Sequence, residues 1–240
     1  MKIDNFLELV RKRRSIRSFK RDAIPEEYIE KLLEAGRWAM SGANAQPWEF
    51  IVIKDEETRN KLHQIYMQGR VLTHDLEMTR IEELRHPGAA AKVDSLTWFG
   101  GAPVIIVVCG DTRTIQTSVM AANLLGRAEM IHCNLANACH NIQLAAAALG
   151  LGAEWVSLGR AEDEKVRALL GVPDVFIIDT IIPVGYPAYE PGAGYRRNLK
   201  EIVHYDRYDL SKFRSNKQVI EFVSNLRKMG KKTYLIKDDK

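Results

Sequence analysis

Five arginines in two short runs are the most chemically pointed feature of this sequence: Arg13, Arg14 and Arg17 near one end, Arg196 and Arg197 near the other. Arginine presents a fixed fork of donors that matches phosphate oxygens, and each charge-assisted hydrogen bond contributes about 1.5–3 kcal/mol. Ser15 adds a hydroxyl within the first run. If the runs meet in space they could hold one dianionic phosphate; if not, they are basic faces washed by solvent. Other site chemistry finds little support. No GxGxxG, GxxxxGK[ST], HExxH or paired CxxC occurs. The six histidines are scattered without ligand spacing, so no metal centre is expected. Ser157 sits in Val156-Ser157-Leu158-Gly159, which lacks the first glycine of a nucleophile elbow, so an acyl-enzyme hydrolase is poorly supported.

The elements that must position these groups centre on Met130 to Ala153, which carries no formal charge until Glu154 although 28% of the chain is charged. Ile131, Leu135, Ala138, Ile142, Ala145, Ala146 and Leu149 recur at helical spacing, with Gly150 and Gly152 as the stop. Asn134, Asn137, His140, Asn141 and Gln143 argue against a membrane span, where their polar groups would find no partners. A core helix is expected. Asn134, Asn137 and Asn141 follow i, i+3, i+7 spacing and make one face polar but uncharged, suited to another helix or to a symmetry mate. A homodimer interface along Met130 to Leu149 and the C-terminal segment is therefore predicted.

Ahead of this helix, Asp4 is placed to cap a first helix with Phe6, Leu7 and Val10 facing inward. Pro25-Glu26-Glu27 opens a second, whose buried stripe is Ile29, Leu32, Leu33 and Ala39. Ser41-Gly42-Ala43-Asn44-Ala45-Gln46-Pro47 then breaks the chain and feeds a strand at Trp48 to Ile53. A third helix starts near Asp55 and runs through Leu62, Ile65 and Tyr66. Residues 67–100 read as a mobile cover, and 111–128 as a variable crossover. Buried strands are predicted at Val104 to Cys109, Ala153 to Ser157 and Phe176 to Val184, short helices at Glu162 to Leu170 and around Val219 to Leu226. One α+β domain over 1–240 is the default. An apolar fraction of 46% is ample for a core. Three cysteines without a leader-like start suggest a reduced, cytoplasmic protein. Net charge is only +4, yet residues 195–240 hold thirteen Lys and Arg against six Asp and Glu, an excess of seven. Lacking aromatic interleaving, that tail is read as solvated, not as a nucleic-acid arm.

Six stretches in register, Arg13 to Phe19 (RRSIRSF), Ser41 to Trp48, Ala102-Pro103, Gly150 to Trp155 (GLGAEW), Pro183 to Pro187 (PVGYP) and Arg196 to Val203 (RRNLKEIV), closely resemble the nitroreductase family of FMN enzymes. The resemblance covers nearly the whole chain and implies a three-layer sandwich with a central mixed sheet flanked by helices, built as a domain-swapped homodimer. It implies that Arg13, Arg14, Ser15 and Arg17 grip the flavin phosphate and ring edge, joined at the phosphate by Arg196 or Arg197. Met40, Ser41, Gly42, Asn44 and Gln46 would contact the flavin held mainly by the partner chain. A backbone N–H of Ser157 or Leu158, beside Gly159, would meet flavin N5, so Arg17, Ser157 and Leu158 are the expected catalytic groups. Residues 67–100 become a lid whose substrate contacts would include Tyr66 and Arg70, and 204–240 an extension packing on the partner. The implied activity is NAD(P)H-dependent, ping-pong reduction of nitroaromatics, quinones or similar acceptors. The family's dehalogenases hold an amino acid with a lid Glu and a Tyr four residues later; Tyr66 fits, whereas Leu62 replaces the acid. A flavin-holding or anion-holding protein without turnover is the remaining alternative. The sequence departs from the family pattern at Met40 and Asn198, where proline is usual, and at Ser157, where glycine is usual.

Overall fold

A computed structural model of the chain describes residues 2–85, 99, 101–119, 127–192 and 194–234. The chain divides into two compact units, residues 1–69 with 97–190 and residues 70–96 with 191–240.

The first unit is built on a four-stranded sheet. Its strands are β1 (Trp48–Ile53), β2 (Val104–Asp111), β3 (Gly152–Ala153) and β4 (Phe176–Gly185), in the order β1-β2-β4-β3. Among the described residues the α-helices of this unit are α1 (Ile3–Lys12), α2 (Glu26–Arg37), α3 (Glu56–Met78, which runs on into the second unit), α4 (Arg127–Ala148) and α5 (Arg160–Leu170). Side chains alternate across β2. Val104, Ile106 and Val108 join one core cluster with Leu32 of α2 and Leu135, Ala138 and Ile142 of α4. Ile105, Val107 and Cys109 join another with Leu62 of α3 and Val166 of α5. A strand buried on both faces reads as a continuous apolar run, and that is what Val104 to Cys109 is. The result is the three-layer arrangement. Among the described residues every strand ladder is antiparallel, and the parallel component is the single bridge between Ser15 and Ala153.

Several boundaries differ from expectation. Helix α1 begins at Ile3 after Lys2, so Asp4 makes no cap and instead lies in the first turn, where its charge suits the helix dipole. No residue of α1 is buried; Phe6, Leu7 and Val10 keep about a third of their surface exposed and Ile3 keeps 66%. Helix α3 runs on to Met78, well past the predicted stop at Tyr66. The strand predicted over Ala153 to Ser157 ends at Ala153. Glu154 donates its N–H to the Pro183 carbonyl, but Pro183 has no N–H to return, so the ladder fails there and resumes only as a bridge between Val156 and Ile181. Helix α5 stops where predicted, at Gly171, whose φ of 67° is left-handed.

The β2–β4 register slips between Val108 and Cys109, which pair with Thr180 and Ile178 and leave Asp179 as the extra residue. The bulge turns that carboxylate toward α4, where Asp179 Oδ1 lies 2.6 Å from His132 Nδ1. Burial raises the Asp179 pKa, and His132 only partly offsets it. A raised carboxyl pKa means that the folded protein holds this proton more tightly than the unfolded chain. The group's contribution is therefore full below the ordinary carboxylate range and is lost as pH rises through the folded value. Asp179→Asn is thus expected to raise the melting temperature at pH 7, by about 2–4 °C per kcal/mol recovered, with the gain vanishing toward pH 4. A melting series across that range checks the sign.

In the second unit, Glu82–Leu84 packs on α7 (Asn216–Tyr234), and the short α6 (Leu199–Ile202) is capped by Asn198. The Phe222 ring of α7 is approached by the guanidinium groups of Arg214 at 4.9 Å and Arg197 at 6.0 Å. Of the cover predicted at 67–100, residues 67–78 are the end of α3, while 86–98 and 100 lie outside the described residues, as does 120–126 of the predicted crossover.

Candidate functional site

The early arginine run leaves α1 and crosses the edge of the sheet. Ile16 donates its N–H to the Ala153 carbonyl at 3.0 Å, and Ser15 bridges Ala153 in parallel. The approach is close enough to require glycine on the other side: a Cβ at Gly152 would stand 2.6 Å from Ile16 Cγ1. Ile16 itself is 3% exposed and anchors the run in the core. Around this anchor, Arg13 reaches Gln143 of α4, with Nη1 at 3.5 Å from Oε1. Arg14 turns back to donate to the carbonyls of Arg11 (a very short contact) and Arg13 (2.8 Å), capping the C-terminal end of α1. Arg17 Nε lies 2.7 Å from Oε1 of Glu154, a carboxylate only 3% exposed.

The same pairing fixes the second candidate segment. After Ala153, Val156 exchanges both backbone hydrogen bonds with Ile181, and Thr180 Oγ1 donates to the Val156 carbonyl. Ser157, Leu158 and Gly159 follow directly, Ser157 Oγ accepting from Trp155 Nε1 and Gly159 standing before the first turn of α5. The structure therefore joins the run of Arg13, Arg14, Ser15 and Arg17 to Ala153 and Glu154, a few residues ahead of Ser157, Leu158 and Gly159 in the chain. The donor set, guanidinium groups and a hydroxyl, fits a ligand that carries a phosphate.

Residues Met40 to Gln46 form a loop of unusual backbone. Ala43, Asn44 and Gln46 have φ of 53°, 51° and 45°, left-handed values that cost a non-glycine residue about 1–3 kcal/mol. What holds them is the uncharged face of α4. Asn134 Oδ1 accepts from Gly42 N–H at 3.0 Å, Asn137 donates to the Met40 carbonyl at 3.1 Å, and Asn141 donates to the Ala35 carbonyl at 3.1 Å. The three amides thus fasten the end of α2 and the loop behind it, so their partner is another helix of the same chain and its exit. Ser41 Oγ closes the loop by accepting from Gln46 N–H. Asn134→Ala is expected to leave Gly42 N–H unpaired, to cost about 1 kcal/mol of stability, and to weaken any ligand that the loop touches several-fold. Thermal melting and a binding titration on the same variant test both halves.

The loop and the arginine run dock on different parts of α4. Asn134 and Gln143 are nine residues apart, which is about 13 Å along the axis and roughly 180° around it. One protomer does not gather both on one side of the helix. The remaining expected residues have their own partners. Arg196 donates to the Tyr195 carbonyl, and Arg197 is engaged by Glu201 as well as by Phe222. Tyr66 is 9% exposed, its ring centroid 5.2 Å from that of Phe99. Arg70 is half-buried and belongs to the second unit. The pairing of Glu154 with Arg17 is not among the sequence expectations; its signal is a lone carboxylate between the apolar helix and Trp155. Among the described residues no three His, Cys, Asp or Glu side chains cluster as a metal site, and no helix is long and apolar enough to cross a membrane.

With this geometry in hand, the wider kinship is clear. The profile of the nitroreductase family matches residues 10–186, and the chain belongs to that family. A Methanothermobacter thermautotrophicus protein with the provisional name NADH dehydrogenase/NAD(P)H nitroreductase is 31% identical, over 86% of this chain and 87% of its own. A solved structure of an FMN-dependent nitroreductase from Clostridium difficile is 25% identical with a TM-score of 0.62, over 84% of this chain and 99% of its own. Mouse iodotyrosine deiodinase 1 is 29% identical over 78% of this chain, and the match spans 64% of that protein.

Proposed function

We propose that this chain is an FMN-dependent NAD(P)H oxidoreductase that passes electrons to nitroaromatics, quinones or similar acceptors. The observation that supports this reading is the bridge between Ser15 and Ala153, which joins the arginine run to the segment that leads on to Ser157 and Leu158. In it, Arg13, Arg14 and Ser15 hold the phosphate and ring edge, joined at the phosphate by Arg196 or Arg197. Arg17 supplies positive charge toward the pyrimidine end, and an amide of Ser157 or Leu158 donates near N5. When bound, FMN supplies the hydride chemistry, taking a hydride from the nicotinamide and returning electrons to the acceptor. No side-chain nucleophile is required. The Met40 to Gln46 loop serves the flavin of a second copy, which accords with its place on the far side of α4 from the arginine run. A homodimer is therefore part of the proposal, in the cytoplasm, with no nucleic-acid partner.

The dehalogenase reading gains less support, because Leu62 is fully buried and Tyr66 packs in the core. The test is a visible spectrum of purified protein before and after anaerobic NADPH, followed by steady-state kinetics. Flavin bands that bleach with NADPH, and parallel double-reciprocal lines, are the expected results. A colourless protein, or bound flavin that nicotinamides do not reduce, would point to a binding module instead. Intersecting lines would require a second nucleotide site.

A further inference from the structure

The oxidoreductase reading assigns Arg17 a role but leaves unused the buried acid that holds it. Glu154 follows β3, 3% exposed, with Oε1 2.7 Å from Arg17 Nε, whereas Arg17 is 32% exposed. The contact is built into the backbone. Ile16 N–H bonded to the Ala153 carbonyl aligns the two segments so that residue 17 falls beside residue 154, and Glu154 N–H is itself fixed on the Pro183 carbonyl. A carboxylate this buried is costly unless paired, so the pair is a designed element of the site and not a surface accident.

We infer that Glu154 is a positioning residue for Arg17, orienting the guanidinium toward the flavin and cancelling most of its charge, so that the protein sets a lower flavin potential than a lone arginine would. This rests on the reading that Arg17 faces the pyrimidine end of FMN. The sign follows from electrostatics. Reduced flavin is anionic, an unopposed cation beside it favours reduction, and the Glu154 carboxylate at 2.7 Å from that cation works the other way. The outcome is a flavin poised to give electrons up to its acceptor.

The test measures the FMN midpoint potential and dissociation constant on holoprotein variants. Glu154→Gln keeps an oxygen for Arg17 Nε but removes the charge. It is expected to favour reduced over oxidised FMN by roughly tenfold, which is about 30 mV for a two-electron couple. Glu154→Asp keeps the charge and shortens the reach by one methylene, so it is expected to weaken FMN binding several-fold while leaving the potential nearer that of the parent. Should Glu154→Gln fail to fold, the FMN affinity of Glu154→Asp decides. An unchanged potential in Glu154→Gln, or unchanged affinity in Glu154→Asp, overturns the inference if Arg17→Gln shifts both quantities. If Arg17→Gln shifts neither, the placement of Arg17 at the flavin fails instead.

Discussion

Arg17→Ala is expected to release FMN and to lower the melting temperature by roughly 6–12 °C. Both losses trace to one side chain with two duties. Removing a charge-assisted donor from the cofactor site weakens binding by about tenfold or more. The larger effect is structural: Glu154 is buried, and stripping a buried acid of its partner costs about 3–5 kcal/mol, here toward the lower end because Arg17 is partly exposed. At this chain length each kcal/mol is worth about 2–4 °C. Melting of the flavin-free protein isolates that part, and calorimetric titration with FMN gives the other. A variant within 2 °C of the parent would show that the pair contributes nothing to the fold.

The second large effect concerns assembly. Helix α1 carries an apolar stripe, Ile3, Phe6, Leu7 and Val10, yet buries none of its residues within the protomer. A helix with one apolar face lowers its free energy by covering it, and uncovered stripes mark association surfaces. On α4, which α1 contacts, Cys133, Ala136, His140, Leu144 and Ala147 form an uncharged line about a quarter-turn from the amides that fasten the Met40 loop. The parent protein should size at twice the 27.3 kDa protomer mass. Phe6→Glu combined with Val10→Glu should give a folded monomer that no longer retains FMN, because each site would lose the loop contributed by the other copy. Light scattering with in-line absorbance reads mass and flavin together, and a flavin-loaded monomer would contradict the shared site.

Much of this was legible in the sequence, and the exceptions have physical causes. Strand β1 and the core of β2 follow from apolar runs that no solvent-facing element tolerates, and α4 from its uncharged period. The resemblance implies that Arg13, Arg14, Ser15 and Arg17 share a site with Ser157 and Leu158, and the structure shows the first run paired with Ala153. What composition and spacing could not show were pairings between distant residues. The end of β3 depends on Pro183 lying opposite Glu154, 29 residues away, and the bulge at Asp179 depends on a register slip. The three asparagines announced a polar uncharged face, but whether it met a helix of the same chain or of another copy depended on where α2 ends. Asp4 looked like a cap because its type suits one; the helix began a residue earlier and used it for its charge.

The left-handed backbone of Ala43, Asn44 and Gln46 also bears on how this enzyme would respond to selection. Glycine at any of these positions relieves strain, so a search for heat resistance alone would find substitutions there readily and would be drawn to them. On the proposal that this loop meets a flavin, a search for turnover would reject the same changes, because the left-handed turn holds the loop in one shape. The Met40 to Gln46 loop is thus where selection for durability and selection for activity pull apart, and libraries that hold it fixed while varying the rest of the surface should climb in stability without losing rate.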